Sequence, residues 1–381
     1  MKKVVLLFAL IIGLLTSAST LQAQVNTSRY ITLTVKKDSA IRLNFKAAAD
    51  GTPVRIVSGS NTQNITVGTN WFDSNWPRTF TVTADASTMT VYGDIIIFDC
   101  DDNGANLTAL DPSHNTQLEY LYCSSNRLTS LDVSQNTLLK NLGCPLNSLS
   151  SLDVSKNTLL TELNCWVNNL SNLDVSHNTQ LTYLDCSSNP LNSLDVSHNT
   201  QLTQLRCQDN GLSSLDVSHN TQLKWLYCSG NKFTTATLDD IYCALPDRTG
   251  KKYGVIQPVY NSSSSNHAIV LATNKANAIA KNWRVQYYDS SGGIATTGTY
   301  VCGTPHTDIA EASAEQALTL YPNPVADVLY LSVTARTIRI YDMYGTEVAH
   351  ATDTDRVEVS HLPAGIYTVN ADGTVAKMVK R

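Results

Sequence analysis

The sequence predicts a mainly β protein built around a solenoid of stacked coils, and three observations predict it. Cys100, Cys123, Cys144, Cys165, Cys186, Cys207 and Cys228 form a ladder with a first step of 23 residues and later steps of 21. Leu142, Leu163, Leu184, Leu205 and Leu226 precede these cysteines, and Leu131, Leu152, Leu173, Leu194 and Leu215 precede a recurring Asp-Val-Ser. An asparagine follows each cysteine by three residues, at Asn103, Asn126, Asn147, Asn168, Asn189, Asn210 and Asn231.

A fixed period of about 20–29 residues with inward apolar positions marks a leucine-rich-repeat solenoid, here with cysteine in a leucine position. One coil cannot bury its apolar side alone, so coils stack and the ends need caps. The 381 residues suggest two or three domains. The net charge of −5 and the 15% charged fraction give no reason to expect nucleic acid or an anionic membrane as partner.

The chain opens like an export signal. Lys2 and Lys3 precede the short apolar run Val4–Leu15, and cleavage is expected after Ala23. No cysteine follows that point to carry a lipid anchor, and no later segment has the apolar length of a membrane span. Residues 24–93 alternate as strands at Tyr30–Val35 and Thr79–Thr83 and read as a β-rich N-terminal cap. Met89–Gly93 leads into the array, expected over residues 94–236.

Within a coil, period-two alternation around the cysteine predicts a short strand. Leu121 and Cys123 point inward, while Tyr120, Tyr122 and Ser124 point out onto a shared concave or flatter face. Parallel strands stack about 4.8 Å apart, so seven rungs make a sheet about 30 Å long. The polar Asp-Val-Ser-x-Asn-Thr return is too short for a full helix and predicts turns or a 3₁₀ piece. The asparagine ladder supplies a donor and an acceptor per coil and is read as structural, bridging neighbouring turns. Asp111, Asp132, Asp153, Asp174, Asp195 and Asp216 also stack; Asx-type caps on backbone N–H groups explain them, with a calcium stack as the alternative. In-register cysteine side chains keep Cβ atoms about 4.8 Å apart, beyond the ~3.8 Å of a disulfide. The ladder is therefore expected to be free, buried thiols. Cys243 and Cys302 lie outside it and could pair. His177, His198 and His219 suggest a metal ladder, but Gln135 and Lys156 fill the same position, which fits a solvent-facing turn.

Outward strand positions vary from coil to coil. Tyr120, Tyr122, Glu162, Asn164, Trp166, Tyr183, Asp185, Arg206, Trp225 and Tyr227 are the candidate ligand-binding residues, with Gln204 beside them. Exposed aromatics are enriched at recognition sites and suit sugar rings; lateral packing across strands is the competing explanation.

The 21-residue Leu-Asp-Val-Ser-x-Asn-Thr-x-Leu-x-x-Leu-x-Cys-x-x-Asn-x-Leu unit resembles the cysteine-ladder internalins of the internalin J type, over about residues 94–236. The first rung departs, with two extra residues before Asp111 and Pro112 in place of valine. The resemblance implies a surface adhesin.

After the array, Thr237–Leu245 has helical spacing with acidic residues in its first turn, ended by Pro246 and Gly250. A second helix is predicted over about Ala272–Lys281, then a strand at Trp283–Tyr288. Residues 237–302 are assigned as an α/β C-terminal cap that shields the last coil's edge, and 303–316 as a linker. The final domain, 317–381, has short alternating strands and turn glycines that predict a β-sandwich. Its Tyr321-Pro322-Asn323-Pro324 start, Asp342-x-x-Gly345 turn, Leu362-x-x-Gly365-Ile366-Tyr367 strand and basic end resemble the C-terminal sorting domain of the type IX secretion system. That resemblance implies a Gram-negative bacterium of the Bacteroidetes type, engagement of the type IX machinery, and surface linkage or release.

No zinc-type Cys pair, phosphate loop or His-Glu-x-x-His motif occurs, and serines and histidines belong to repeating turns, so no enzyme, metal or cofactor is expected. The reading is a secreted or cell-surface protein that binds a protein or glycan on a host cell or neighbouring bacterium. A structural envelope or matrix role, or inhibition of a host protein, are the alternatives.

Overall fold

The computed structural model of the chain describes residues 24–69, 80–289, 292–304, 318–342, 346–372 and 374–381. The expected leader, most of the expected linker and part of the Asp342–Gly345 turn lie outside the described residues. The chain divides into two compact units, Met1–Pro305 and His306–Arg381.

The first unit begins with β1 (Tyr30–Val35), β2 (Ala40–Ala47), β3 (Thr52–Ser58), β4 (Asn61–Val67), β5 (Phe80–Thr83), β6 (Thr88–Tyr92), β7 (Ile95–Asp99) and β8 (Leu107–Asp111). Alternation drives the pairing: Ile31, Leu33 and Val35 on β1 are buried while their neighbours face out. Strands β4-β3-β6-β1-β8 form an antiparallel cap sheet. The irregular first repeat has a structural reason, because the stretch after Cys100 forms β8, which leaves the coil and pairs with β1.

The rungs are β9 (Tyr120–Tyr122), β10 (Asn141–Gly143), β11 (Glu162–Asn164), β12 (Tyr183–Asp185), β13 (Gln204–Arg206) and β14 (Trp225–Tyr227). All pair in parallel, in register, at the 21-residue step. Leu121, Leu142, Leu163, Leu184, Leu205 and Leu226 are fully buried, and so are all seven ladder cysteines. Turns, without helix, return each coil.

Beyond the rungs come α1 (Thr235–Ala244), β15 (Gly254–Val259), α2 (His267–Leu271), α3 (Ala276–Ala280) and β16 (Trp283–Tyr287). The sheet does not stop at the last cysteine. Strands β15 and β16 extend it in parallel, and β2 and β5 extend it antiparallel beyond β7, giving eleven strands rather than seven rungs. Helix α1 starts earlier than its acidic residues suggest. The Thr234 hydroxyl caps it by accepting from Thr237 N, which moves Asp239 and Asp240 to the second turn; Asp239 is buried and accepts from Asn274 N at 2.8 Å. Of the helix expected over Ala272–Lys281 only the stretch Ala276–Ala280 is helical, and a further short helix, α2, lies before it. Thr273 donates its hydroxyl to Val270 O and Asn274 accepts from Ala276 N, ending one helix and opening the next. Buried Arg248 closes the end of the array by donating to Leu223 O and Lys252 O. A disulfide joins Cys243 on α1 to Cys302.

The second unit holds β17 (Leu320–Tyr321), β18 (Val328–Tyr341), β19 (Glu347–Glu358), β20 (Gly365–Ala371) and β21 (Thr374–Lys380). They form one hydrogen-bonded set in which the long β18 pairs with β17, β19 and β20. Val325, Leu329, Ile338, Ile340, Val369 and Met378 lie in its core.

Candidate functional site

Strand parity builds the site. With the middle residue of every rung buried, its two neighbours point out. One column runs Ile97, Tyr120, Asn141, Glu162, Tyr183, Gln204, Trp225, Val255 and Arg284. The second runs Asp99, Tyr122, Gly143, Asn164, Asp185, Arg206, Tyr227 and Gln257. Trp166 lies just past its rung and is half-buried; Ser187, Gln208 and Ser229 at the equivalent step are buried.

The scaffold is held from inside. Each asparagine after a cysteine donates to its own cysteine carbonyl and to that of the preceding coil, as Asn147 does to Cys144 O and Cys123 O. Its oxygen accepts from the preceding coil, as from Leu128 N at 3.0 Å. Asn103 makes the same bonds to Arg42 of β2 and so ties the array to the cap. The aspartate ladder makes Asx turns, with Ser134, Ser155, Ser176, Ser197 and Ser218 N–H donating to Asp132, Asp153, Asp174, Asp195 and Asp216. A second asparagine ladder escaped sequence reasoning. Asn136, Asn157, Asn178, Asn199 and Asn220 are fully buried, and each donates to two carbonyls of earlier coils, as Asn157 does to Val133 O and Asn136 O. Its signal was present, since this asparagine recurs while the residue before it varies among Gln135, Lys156 and histidine.

Outside, the face is mostly neutral. Burial, then Glu162, pushes the Tyr122 phenol up to about 12; burial, then Asp185, does the same for Tyr183. Tyr122 lies over Gly143, where an added Cβ would come within 2.9 Å of its ring. Asp185 is only 6% exposed, accepts from Ser187 N and Oγ, and has its pKa raised by burial. It is therefore largely covered rather than displayed. Arg206 lies with its guanidinium 4.3 Å from the Tyr227 ring centroid. The aromatic surface continues onto the cap, with Tyr227 edge-on to Tyr288 at 6.0 Å and Tyr288 stacked on Tyr260 at 5.3 Å. Strand parity could have found Tyr288; nothing in the sequence places Tyr260 beside it.

The ladder thiols are buried and free. Burial holds Cys144 and Cys228 up at about 12 and the other five well above the ordinary thiol range, so they stay protonated and unreactive. His177 and His219 each contact the serine before them in their exposed turns. Among the described residues, no group of three or more His, Cys, Asp or Glu is placed to hold a metal ion.

Residues 319–381 match the family described as a secretion system C-terminal sorting domain. The chain carries a type IX secretion sorting domain. That domain directs the chain to the cell surface or the exterior and implies contact with the type IX machinery. Among the described residues no helix is long and apolar enough to cross a membrane. No curated protein matches the chain significantly. Similar solved structures include the functional domain of InlJ from Listeria monocytogenes, which includes a cysteine ladder. It is 25% identical over 76% of this chain and 67% of that one, with a TM-score of 0.37. An internalin, InlF, from the same organism is 22% identical over 37% and 50%, with a TM-score of 0.34. A leucine-rich-repeat protein of Leptospira interrogans is 23% identical over 35% and 37%, with a TM-score of 0.32. The solenoid assignment stands on the register of the chain's own rungs.

Proposed function

We propose that this secreted leucine-rich-repeat protein is a non-enzymatic adhesin whose outward sheet face binds a protein or glycan on a host cell or neighbouring bacterium. The observation that carries this reading is the division of labour in each coil. Inward leucine, cysteine and asparagine account for stability, while the outward columns hold tyrosine, tryptophan and arginine that the scaffold does not need. Trp166, Trp225, Tyr227, Tyr120, Glu162, Asn164 and Arg206 are its proposed contacts, extended by Tyr260 and Tyr288. A structural envelope role is favoured by one fact, the packing of Tyr122 over Gly143, which gives that ring a lateral packing role.

The mature chain and a Tyr120, Trp166, Trp225, Tyr227→Ala variant, matched for thermal stability, are compared for binding to epithelial cells and biofilm. Loss in the variant is the expected result. Equal binding by both moves the site off this face, and no binding by either supports the envelope role.

A further inference from the structure

We infer that the ligand of this face is an uncharged oligosaccharide seated at its C-terminal cap end, against Tyr227, Tyr260 and Tyr288; this rests on the adhesin reading of the face. The middle of the face offers little to a broad protein partner. Gly143 presents no side chain there, the Tyr122 ring packs over it, and Asp185 is only 6% exposed. Trp225, Tyr227, Tyr260 and Tyr288 instead gather where the sheet enters the cap.

Tyr288 lies edge-on to Tyr227 at 6.0 Å and stacks on Tyr260 at 5.3 Å. Tyr260 is nonetheless 51% exposed, so the side of its ring away from Tyr288 is open. An open aromatic face carries negative charge density and attracts the C–H side of a pyranose ring. Tyr227 has the Arg206 guanidinium over its ring and forms a wall of the seat. Arg206 stands in register beside Asp185, which offsets its charge, so this column favours an uncharged sugar over an acidic one.

The polar groups around the rings are mainly amides. Tyr227 lies in register between Arg206 and Gln257, and Gln208 follows Arg206 by two residues. Gln208 and Gln257 are only 7% and 8% exposed. Among the described residues none donates to the Oε1 of either, and none accepts from Arg206 Nε. Buried polar atoms normally have partners. An amide offers donor and acceptor together, as a sugar hydroxyl does. A hydroxyl seated at the rings completes these groups directly or through one bridging water.

The size of the patch argues the same way. Strands β13 to β16 at about 4.8 Å span about 15 Å, and five residues of a strand rise about 13 Å. That is about 200 Å², a quarter of the area each partner commonly gives to a stable protein complex. A short oligosaccharide fills such a patch.

The mature chain is bound to epithelial cells and biofilm before and after periodate and borohydride, which open sugar rings at vicinal diols and cap the aldehydes. Binding is expected to fall to background after treatment and to be competed by neutral glycans released from the same surfaces. Sialidase treatment is expected to leave it unchanged. Tyr260→Ala, an exposed position whose unchanged melting shows a folded chain, is expected to weaken binding about three- to tenfold, and Tyr260→Phe, which keeps the ring, to retain it. Tyr120→Ala, at the far end of the face, is expected to weaken it less than Tyr260→Ala. Binding that survives periodate, or that acidic but not neutral glycans compete, would overturn the inference while leaving the adhesin reading standing. Wild-type binding by Tyr260→Ala would remove the seat from the cap end. No binding to untreated cells or biofilm would sink both readings.

Discussion

Val167 holds its backbone at φ 52°, in the left-handed region that β-branched residues avoid. It belongs to a series: Asp102, Ser125, Leu146, Ser188 and Asp209 share that conformation, spaced by 21 residues after a first step of 23, and Gly230 completes it. The turn bends the chain so that the following asparagine can reach the preceding coil. A side chain there costs about 1–2 kcal/mol. Val167→Asn tolerates the conformation without glycine's added unfolded-state entropy and is expected to stabilise the array by about 1 kcal/mol, read from urea unfolding. No gain would show that the valine's contacts offset the strain. Titration is also argued residue by residue. Burial, then Asp99, raises Asp101 from 3.8 to about 6. The folded chain then binds this proton more tightly than the unfolded chain, so stability falls as pH rises through that window. Asp132, Asp153, Asp174, Asp195 and Asp216 go the other way, lowered by hydrogen bonds from the serines two residues on. Their contribution is present above the ordinary carboxylate value and is lost as pH falls below it. A mildly acidic stability optimum is expected, and Asp101→Asn should flatten the slope on its alkaline side. An unchanged urea-midpoint profile in that variant would assign the slope to other groups.

Among the elements, the terminal strand β21 shows what the Pro-Asn-Pro motif does. Asn323 Nδ2 donates to Lys377 O and its Oδ1 accepts from Val379 N, both at 2.8 Å. Val325 N donates to Val379 O, and Arg381 N donates to Val325 O. The asparagine amide thus acts as a peptide group in a β-ladder, and β21 is held on both edges. Asn323→Ala hands these two exposed backbone groups to water and is expected to cost about 0.5–1.5 kcal/mol. It should also speed hydrogen exchange at the Val379 amide. Protection equal to wild type would show that Val325 alone seats the strand.

Across the whole molecule, two kinds of cysteine coexist in one unit. The seven ladder thiols are buried and free, whereas Cys243 and Cys302 close a loop of sequence separation 59. A thiol reagent is expected to find none of the seven in the native chain and all of them after unfolding. Reducing the Cys243–Cys302 bond should lower stability by roughly 2–4 kcal/mol without exposing the ladder. Stepwise reaction of ladder thiols in the native chain would mean that coils open one at a time. The solenoid, its Asx turns and the buried cysteines were legible in advance because each follows from a repeated local pattern. The late start of α3 at Ala276, and α2 before it, were not, because helical spacing does not record the Thr273 and Asn274 side chains that bond to the backbone between them.

The sequence by itself determined the coil, its inward and outward residues, and the sorting domain. Strand parity is local, and a 21-residue period repeats the same local choice in every coil. Tertiary structure alone decided how the array ends and what its face becomes. Beyond Cys228 no period remains, so only the folded cap reveals that β15 and β16 continue the sheet. Only there do Tyr260 and Tyr288 extend the aromatic surface. These are contacts between residues far apart in sequence, fixed by the packing of the cap against the last rung.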